Sequence, residues 1–288
     1  MVTLRLMAVH AHPDDESSKG AATYAYYRSR GAEVLIVSCT GGERGSILNS
    51  ALDGHAMAER DMAGMRRLEM ADAQRALDVQ HRWLGYEDSG MNDDKSVPAN
   101  SFADIPVEHS AEPLVAIVRE FRPHVLITYD ENGGYPHPDH IRCHEVSMEA
   151  FRAAADPARY PAAGAPWQID KLYYDRIFNL ERIDAMYLAL SVQQPDSSLL
   201  EPLEAARERM KDYPNVATTH IPAGDFLEVR DAALRAHASQ VSPDSGFFFW
   251  PNDLVREAWP YEDFQLVESK VETIMPESDL FAGIEITE

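Results

Sequence analysis

The chain has 288 residues, 45% of them hydrophobic and 26% charged, with no low-complexity tract, so a disordered or fibrous protein is excluded and one large α/β domain or a main domain with a smaller appendage is expected. Against 26 Lys and Arg stand 48 Asp and Glu, a formal charge of -22 that would repel a phosphate backbone or an anionic lipid surface. Nucleic acid and membrane are therefore not expected as partners. The two cysteines, Cys39 and Cys143, form neither a CxxC pair nor a disulfide framework, and no basic stretch with a long apolar run opens the chain. A reducing cytoplasmic setting is predicted.

In chain order, Leu4 to His10 reads as a strand and Ser17 to Arg30 as the helix that follows it. Glu33 to Cys39 is a strand apolar on both faces, and the loop TGGERGS leads to a helix over about Ala56 to Val79. A brief strand at His81 to Leu84 ends in the polar loop GYEDSGMNDD. A helix near Glu112 to Phe121, the strand Pro123 to Tyr129 and the loop DENGGYPHPDH follow, the last leading into a helix that runs to about Ala154. This alternation predicts an α/β, Rossmann-like, open and mostly parallel sheet flanked by helices, with ligands at the carboxyl ends of its strands. The segment YPAAGAPW reads as a linker between a catalytic domain, residues 1–165, and a smaller mixed α/β C-terminal region, residues 166–288, contributing to the substrate pocket. Strand candidates there are Lys171 to Tyr174 and Val216 to Ile221, with helices near Leu200 to Lys211 and Asp225 to Ala238.

Two clusters carry the chemistry. His10-Ala11-His12-Pro13-Asp14-Asp15-Glu16 closes the first strand, and His137-Pro138-Asp139-His140 follows a later one. So many acids and imidazoles beside a buried strand are costly unless a cation gathers them. A single HPD triplet is explained by a helix N-cap followed by proline, whereas two at strand carboxyl ends point to a metal site. Imidazole with carboxylate suits zinc or iron(II), and three protein ligands leave room for water, the arrangement of a hydrolytic centre. Of the adjacent Asp14 and Asp15, one can bind metal while the other acts as general base.

AHPDDESSKGA, CTGGERG, EDSGMNDD and GYPHPDHIRCHE together resemble the LmbE/PIG-L superfamily of metal-dependent N-deacetylases. The likeness runs along most of the chain and thins after Trp167. It implies a zinc site of His12, Asp15 and His140, with Asp14 as general base. His137 would be the acid for the leaving amine or a stabiliser of the oxyanion, Tyr135 an oxyanion donor, and Asp139 the residue that orients the catalytic histidine. Arg66, Asp88 and Met91 would line an inositol-glucosamine pocket, although Arg66 also reads as a surface helix cation paired with Glu69. Lys19 would mark the branch that cleaves a small-molecule thiol conjugate, a mycothiol S-conjugate, at its amide in detoxification. The alternative is the branch that deacetylates N-acetylglucosaminyl-inositol. A non-catalytic sugar binder would need no base and acid beside a metal, and TGGERG matches neither dinucleotide nor P-loop patterns.

His144, four residues after His140, is a competing ligand in principle but reads as a packing residue. His10, His220 and His237 read as satisfied polar groups, with His220 and His237 able to line the crevice, and Cys143 as a buried helix residue. The aromatic run 247–250 and Asn252 are either a pocket cover and sugar contact or a packing cluster.

Overall fold

The computed structural model describes residues 3–94, 96–246 and 248–285; Phe247, the first of the aromatic run, lies outside them. Seven strands form one sheet: β1 (Arg5–His10), β2 (Glu33–Thr40), β3 (Gln80–Tyr86), β4 (Val125–Thr128), β5 (Lys171–Asp175), β6 (Thr219–Ile221) and β7 (Glu262–Ser269), in the order β3-β2-β1-β4-β5-β7-β6. The first five in that order run parallel, and β7 lies antiparallel to both β5 and β6. The expected α/β architecture is the observed one. Strands from beyond residue 165 continue this sheet, so the C-terminal region shares it with the N-terminal half.

Burial on both faces explains the apolar runs. Along β1, Leu6 and Ala8 face the helices Ala21–Ser29 and Met62–Leu77, while Met7 and Val9 pack toward Glu112–Phe121 and Pro138–Ala153. A third, smaller cluster around Met186, Leu190, Leu203 and Leu254 sits among the C-terminal helices. No helix among the described residues is long and apolar enough to cross a membrane.

The single helix expected over Ser17 to Arg30 is two pieces, Asp15–Ser18 and Ala21–Ser29. Gly20 breaks it at φ 107°, where a Cβ would lie 2.6 Å from Tyr24 Oη. The helix expected over Ala56 to Val79 is likewise divided, because the Asp61 side chain accepts the Gly64 N–H at 2.8 Å and starts a new helix at Met62. The helices Leu180–Gln193 and Asn252–Ala258 and strand β7 have no counterpart in the sequence reading.

β1 pairs with β2 on one side and β4 on the other, and the chain winds away from it in both directions. A crevice opens at the carboxyl end of that switch point. Both motif clusters sit there.

Candidate active site

The turn after β1 is tied down by its own carboxylates. The His12 N–H donates to Asp15 Oδ2 (3.0 Å) and the Asp14 N–H to Glu16 Oε2 (2.9 Å), with Asp14 held at φ 98°. That left-handed conformation is costly for a residue with a side chain and persists only where its surroundings impose it. After β4, Asp130 Oδ1 accepts the N–H groups of Asn132 (3.0 Å) and Gly134 (2.9 Å) and folds the loop back. Gly133, at φ 71°, has no room for a side chain: a Cβ would lie 2.5 Å from the Cβ of His140. Its carbonyl takes a hydrogen bond from His140 Nδ1–H at 2.9 Å.

This bond leaves the His140 Nε2 lone pair free, buried and without a hydrogen-bond partner, 3.4 Å from Asp15 Oδ2. The ligand atoms of His12, Asp15 and His140 all lie within 4.8 Å of one another, and His12 Nδ1 is 3.6 Å from the same Asp15 oxygen. A buried imidazole lone pair facing a carboxylate is satisfied by a cation between them, so the residues fit a metal ion. His12, Asp88 and His137 form a second set that shares His12. Asp88 is already committed, its Oδ2 to the Arg44 N–H (3.0 Å) and its Oδ1 to the Gly90 N–H (2.7 Å), which favours the first set.

The charges depend on one another. Burial alone would lower the His12 pKa, but Asp139, Asp15 and Asp88 raise it well above the ordinary imidazole value. Burial opposes ionisation of Asp15, yet His140, Lys19 and His12 hold its carboxyl well below the usual range. The Lys19 ammonium is 2.5 Å from Asp15 Oδ1, the oxygen turned away from the histidines. Burial disfavours its charge, and Asp15 and Asp175 more than compensate.

Asp14 stands beside this set. Its Oδ2 accepts from Arg66 Nη2 at 2.8 Å, and Arg66 also donates to the carbonyls of Gly42 (2.7 Å) and Pro13. Burial pushes the Asp14 carboxyl up, Arg66 draws it down, and Asp15 adds to the rise. The reading of Arg66 as a surface cation paired with Glu69 fails: Arg66 is buried, and Glu69 instead accepts from the N–H and Oγ of Ser239, each at 2.7 Å. Two of the glycines of TGGERG, Gly42 and Gly45, lie against the same guanidinium. Gly42 has φ 63°, and a Cβ there would meet Arg66 Nη1 at 2.1 Å.

His137 is both a helix cap and a site residue. It is the N-cap of Pro138–Ala153, and its Nδ1 accepts the Asp139 N–H at 3.1 Å, so the neutral ring carries its proton on Nε2. Burial, His12 and His140 lower its pKa to about 4. Asp139 meets His137 through this backbone N–H, while its Oδ2 lies 3.3 Å from His12 Nε2 and accepts the Ser89 N–H at 2.8 Å. Tyr135, half-exposed, places its ring 4.5 Å from that of His140; desolvation and Asp15 push its hydroxyl up to about 12. Met91 stays out of the cluster, 61% exposed on its loop.

The other histidines are satisfied elsewhere. His10 Nε2 bonds Tyr24 Oη (3.0 Å), His144 Nδ1 bonds the Tyr129 carbonyl (3.0 Å) and His220 Nδ1 bonds Asp263 (2.7 Å). Cys143 is buried as expected, and Asn252 bonds Asp231 among the C-terminal helices. One participant, Tyr129, escaped sequence reasoning, and the partner of a second, His237, was not foreseen. The Tyr129 ring stacks on His140 at 4.5 Å while its hydroxyl accepts the Ala11 N–H. His237, 221 residues from Glu16 in sequence, bonds its Oε1 at 2.7 Å with both side chains fully buried. Tyr129 was marked only by its place at a strand end, and His237, read as a satisfied polar group able to line the crevice, is one, with Glu16 as the partner that no local signal gave.

Residues 7–151 match the family model PIG-L, GlcNAc-PI de-N-acetylase. Over 98% of its length the chain is 49% identical to a Mycothiol S-conjugate amidase of Streptomyces coelicolor, covering 97% of that protein. It is 40% identical to a 1D-myo-inositol 2-acetamido-2-deoxy-alpha-D-glucopyranoside deacetylase of Streptomyces avermitilis, with 97% of each chain covered. Its fold is that of the N,N'-diacetylchitobiose deacetylase of Pyrococcus horikoshii (TM-score 0.60, 20% identity, 91% of this chain and 83% of the other). The 4-carboxy-2-hydroxymuconate hydratase GalB of Pseudomonas putida is nearly as similar (TM-score 0.59, 16% identity, 94% and 99%), so fold alone does not set the reaction. The family match spans half the chain and takes in both loops that build the site, the identities run nearly full length, and the chain belongs to the GlcNAc-PI de-N-acetylase (PIG-L) family.

Proposed function

We propose that the chain is a zinc-dependent amidase that hydrolyses mycothiol S-conjugates to an N-acetylcysteine S-conjugate and glucosaminyl-inositol. The observation that carries this reading is the buried, unpartnered His140 Nε2 facing Asp15 and His12, with Asp14 and His137 alongside. The 49% identity to the S. coelicolor amidase supports the choice of acyl group over the acetyl group named for the 40% identical deacetylase.

His12, Asp15 and His140 would hold the zinc. Bound there, it would polarise the amide carbonyl and lower the pKa of water toward about 7. Asp14, its Oδ2 fixed by Arg66 and its carboxyl pushed up by burial, takes the proton from the attacking water. The Tyr135 hydroxyl, still protonated at neutral pH, donates to the oxyanion. As the C–N bond breaks, the proton taken from water is the one the departing nitrogen needs. Asp14 returns it to that nitrogen, while His137, neutral at rest with Nδ1 taken by the Asp139 N–H, donates its Nε2–H to the oxyanion. Asp139 steadies the His12 ring and, through its N–H, the His137 ring. Arg66, Asp88 and Met91 are assigned to the sugar side, Lys19 to the acyl side, and the C-terminal region to the rest of the pocket. Iron(II) suits the same ligands.

The test is product analysis by mass spectrometry after the zinc-loaded protein meets a mycothiol S-conjugate and N-acetylglucosaminyl-inositol in parallel. Faster release of the N-acetylcysteine conjugate is expected. Dominant release of acetate would overturn the amidase reading in favour of the deacetylase.

A further inference from the structure

Among the C-terminal helices lies a cavity of about 360 Å3 that the chemistry above does not use. Its walls are largely aliphatic, including Met186, Leu203, Ala206, Leu234 and Val255. Of the polar groups at its edge, Arg230 donates to Asp231, Arg182 to the Ile177 carbonyl at 3.3 Å, and Glu262 accepts the Thr23 N–H at 2.7 Å, while Arg209 is the remaining charged side chain of the wall. Sugar hydroxyls would find few partners in it, whereas an apolar group would gain by leaving water.

The cavity adjoins the metal-ligand turn. Ser18 forms part of its wall and closes the short helix Asp15–Ser18, its Oγ donating to the Asp15 carbonyl at 3.2 Å. Three helical residues, about 4.5 Å of rise, therefore separate Asp15 from Ser18 in the cavity wall. Lys19, the next residue, meets Asp15 Oδ1, on the side of the carboxylate away from His12 and His140. Arg66 and Asp88 approach from elsewhere, through Asp14 and His12.

We infer that this cavity is the subsite for the S-substituent of the conjugate, and that it selects apolar and aromatic thioether groups. The inference rests on the amidase reading. In such a substrate the sulfur stands three bonds from the scissile carbonyl carbon, so an acyl group seated at Asp15 delivers its substituent past Ser18. The volume lies within the range of pockets that take small organic groups, roughly 300–1,000 Å3.

The test compares S-methyl and S-(1-naphthylmethyl) conjugates with the zinc-loaded wild type and Ala206→Phe, a substitution that fills the cavity. For the variant, kcat/KM on the naphthylmethyl conjugate should fall about tenfold or more, while the S-methyl value, which also reports folding, stays unchanged. Equal loss on both substrates, or no loss on either, overturns the inference. Met186→Phe, from a different helix, should give the same pattern should Ala206→Phe not fold. Calorimetry with S-(1-naphthylmethyl)-N-acetylcysteine supplies a readout without turnover: the wild type should bind it more tightly than the S-methyl acid, and the filled variant should lose that preference. If neither conjugate is cleaved, the amidase reading fails, and calorimetry still decides whether the cavity takes the group.

Discussion

Replacing Glu16 by Gln should destabilise the protein at neutral pH, and the loss should vanish in acid. Glu16 is fully buried, bonded through Oε1 to His237 Nε2 and Ser17 Oγ and through Oε2 to the Asp14 N–H. Burial works against its charge, but His237 and Ser17 overcome this and lower its pKa from 4.5 to about 2. At roughly 1.4 kcal/mol per unit this difference contributes about 3 kcal/mol. Because the folded value is depressed, the contribution is present above 4.5 and disappears as pH falls toward 2. His237, raised above 6.5 chiefly by Glu16 against the cost of burial, has the opposite sign: its share is present below 6.5 and lost as pH rises through its folded value. The two describe one bond and are not added. Urea unfolding of wild type and Glu16→Gln should therefore differ by about 3 kcal/mol near pH 6, with the gap closing below pH 4. In Glu16→Gln/His237→Asn the loss should be smaller than the sum of the single losses. A Glu16→Gln loss below about 1 kcal/mol, or one that does not depend on pH, would refute the reasoning.

Asp14→Asn should keep bound zinc and lose about 10²- to 10⁴-fold in turnover, whereas His140→Ala should lose the metal; elemental analysis beside kinetics separates the two. Gly42→Ala, at φ 63° and against Arg66, should cost about 1–3 kcal/mol by thermal unfolding and reduce activity by moving the guanidinium from Asp14. Cys39 and Cys143, buried with sulfurs 3.7 Å apart, should resist a thiol reagent in the native protein and react in urea. Labelling of the native protein at the denatured rate would contradict their burial.

Much of the site was readable because its residues come in two compact runs at strand ends. Strand carboxyl ends in a parallel sheet face one crevice, so AHPDDE and GYPHPDH had to meet. The His140 tautomer was not readable, since it follows from the Gly133 carbonyl. Nor was the commitment of Arg66 to Asp14, because Arg66 and Glu69 share a helix face and an isolated helix pairs them. The helix breaks at Gly20 and Asp61 lay inside otherwise helical patterns, where one glycine or aspartate is tolerated until a neighbour, Tyr24 or Gly64, makes the break favourable. Strand β7 mixes polar and apolar residues and needs β5 and β6 on either side to become a strand.

Local order therefore carried the sheet's parallel core, the two loops of the candidate metal site and the family, because each depends on residues a few positions apart. Three-dimensional packing settled which of two histidine sets has a free lone pair, what Arg66 holds, and how His237 reaches Glu16. It also built the apolar cavity beside Ser18 from helices more than 160 residues distant in the chain. Those features arise from contacts between segments whose spacing in sequence carries no periodic signal, and their energies exist only once burial has removed the water.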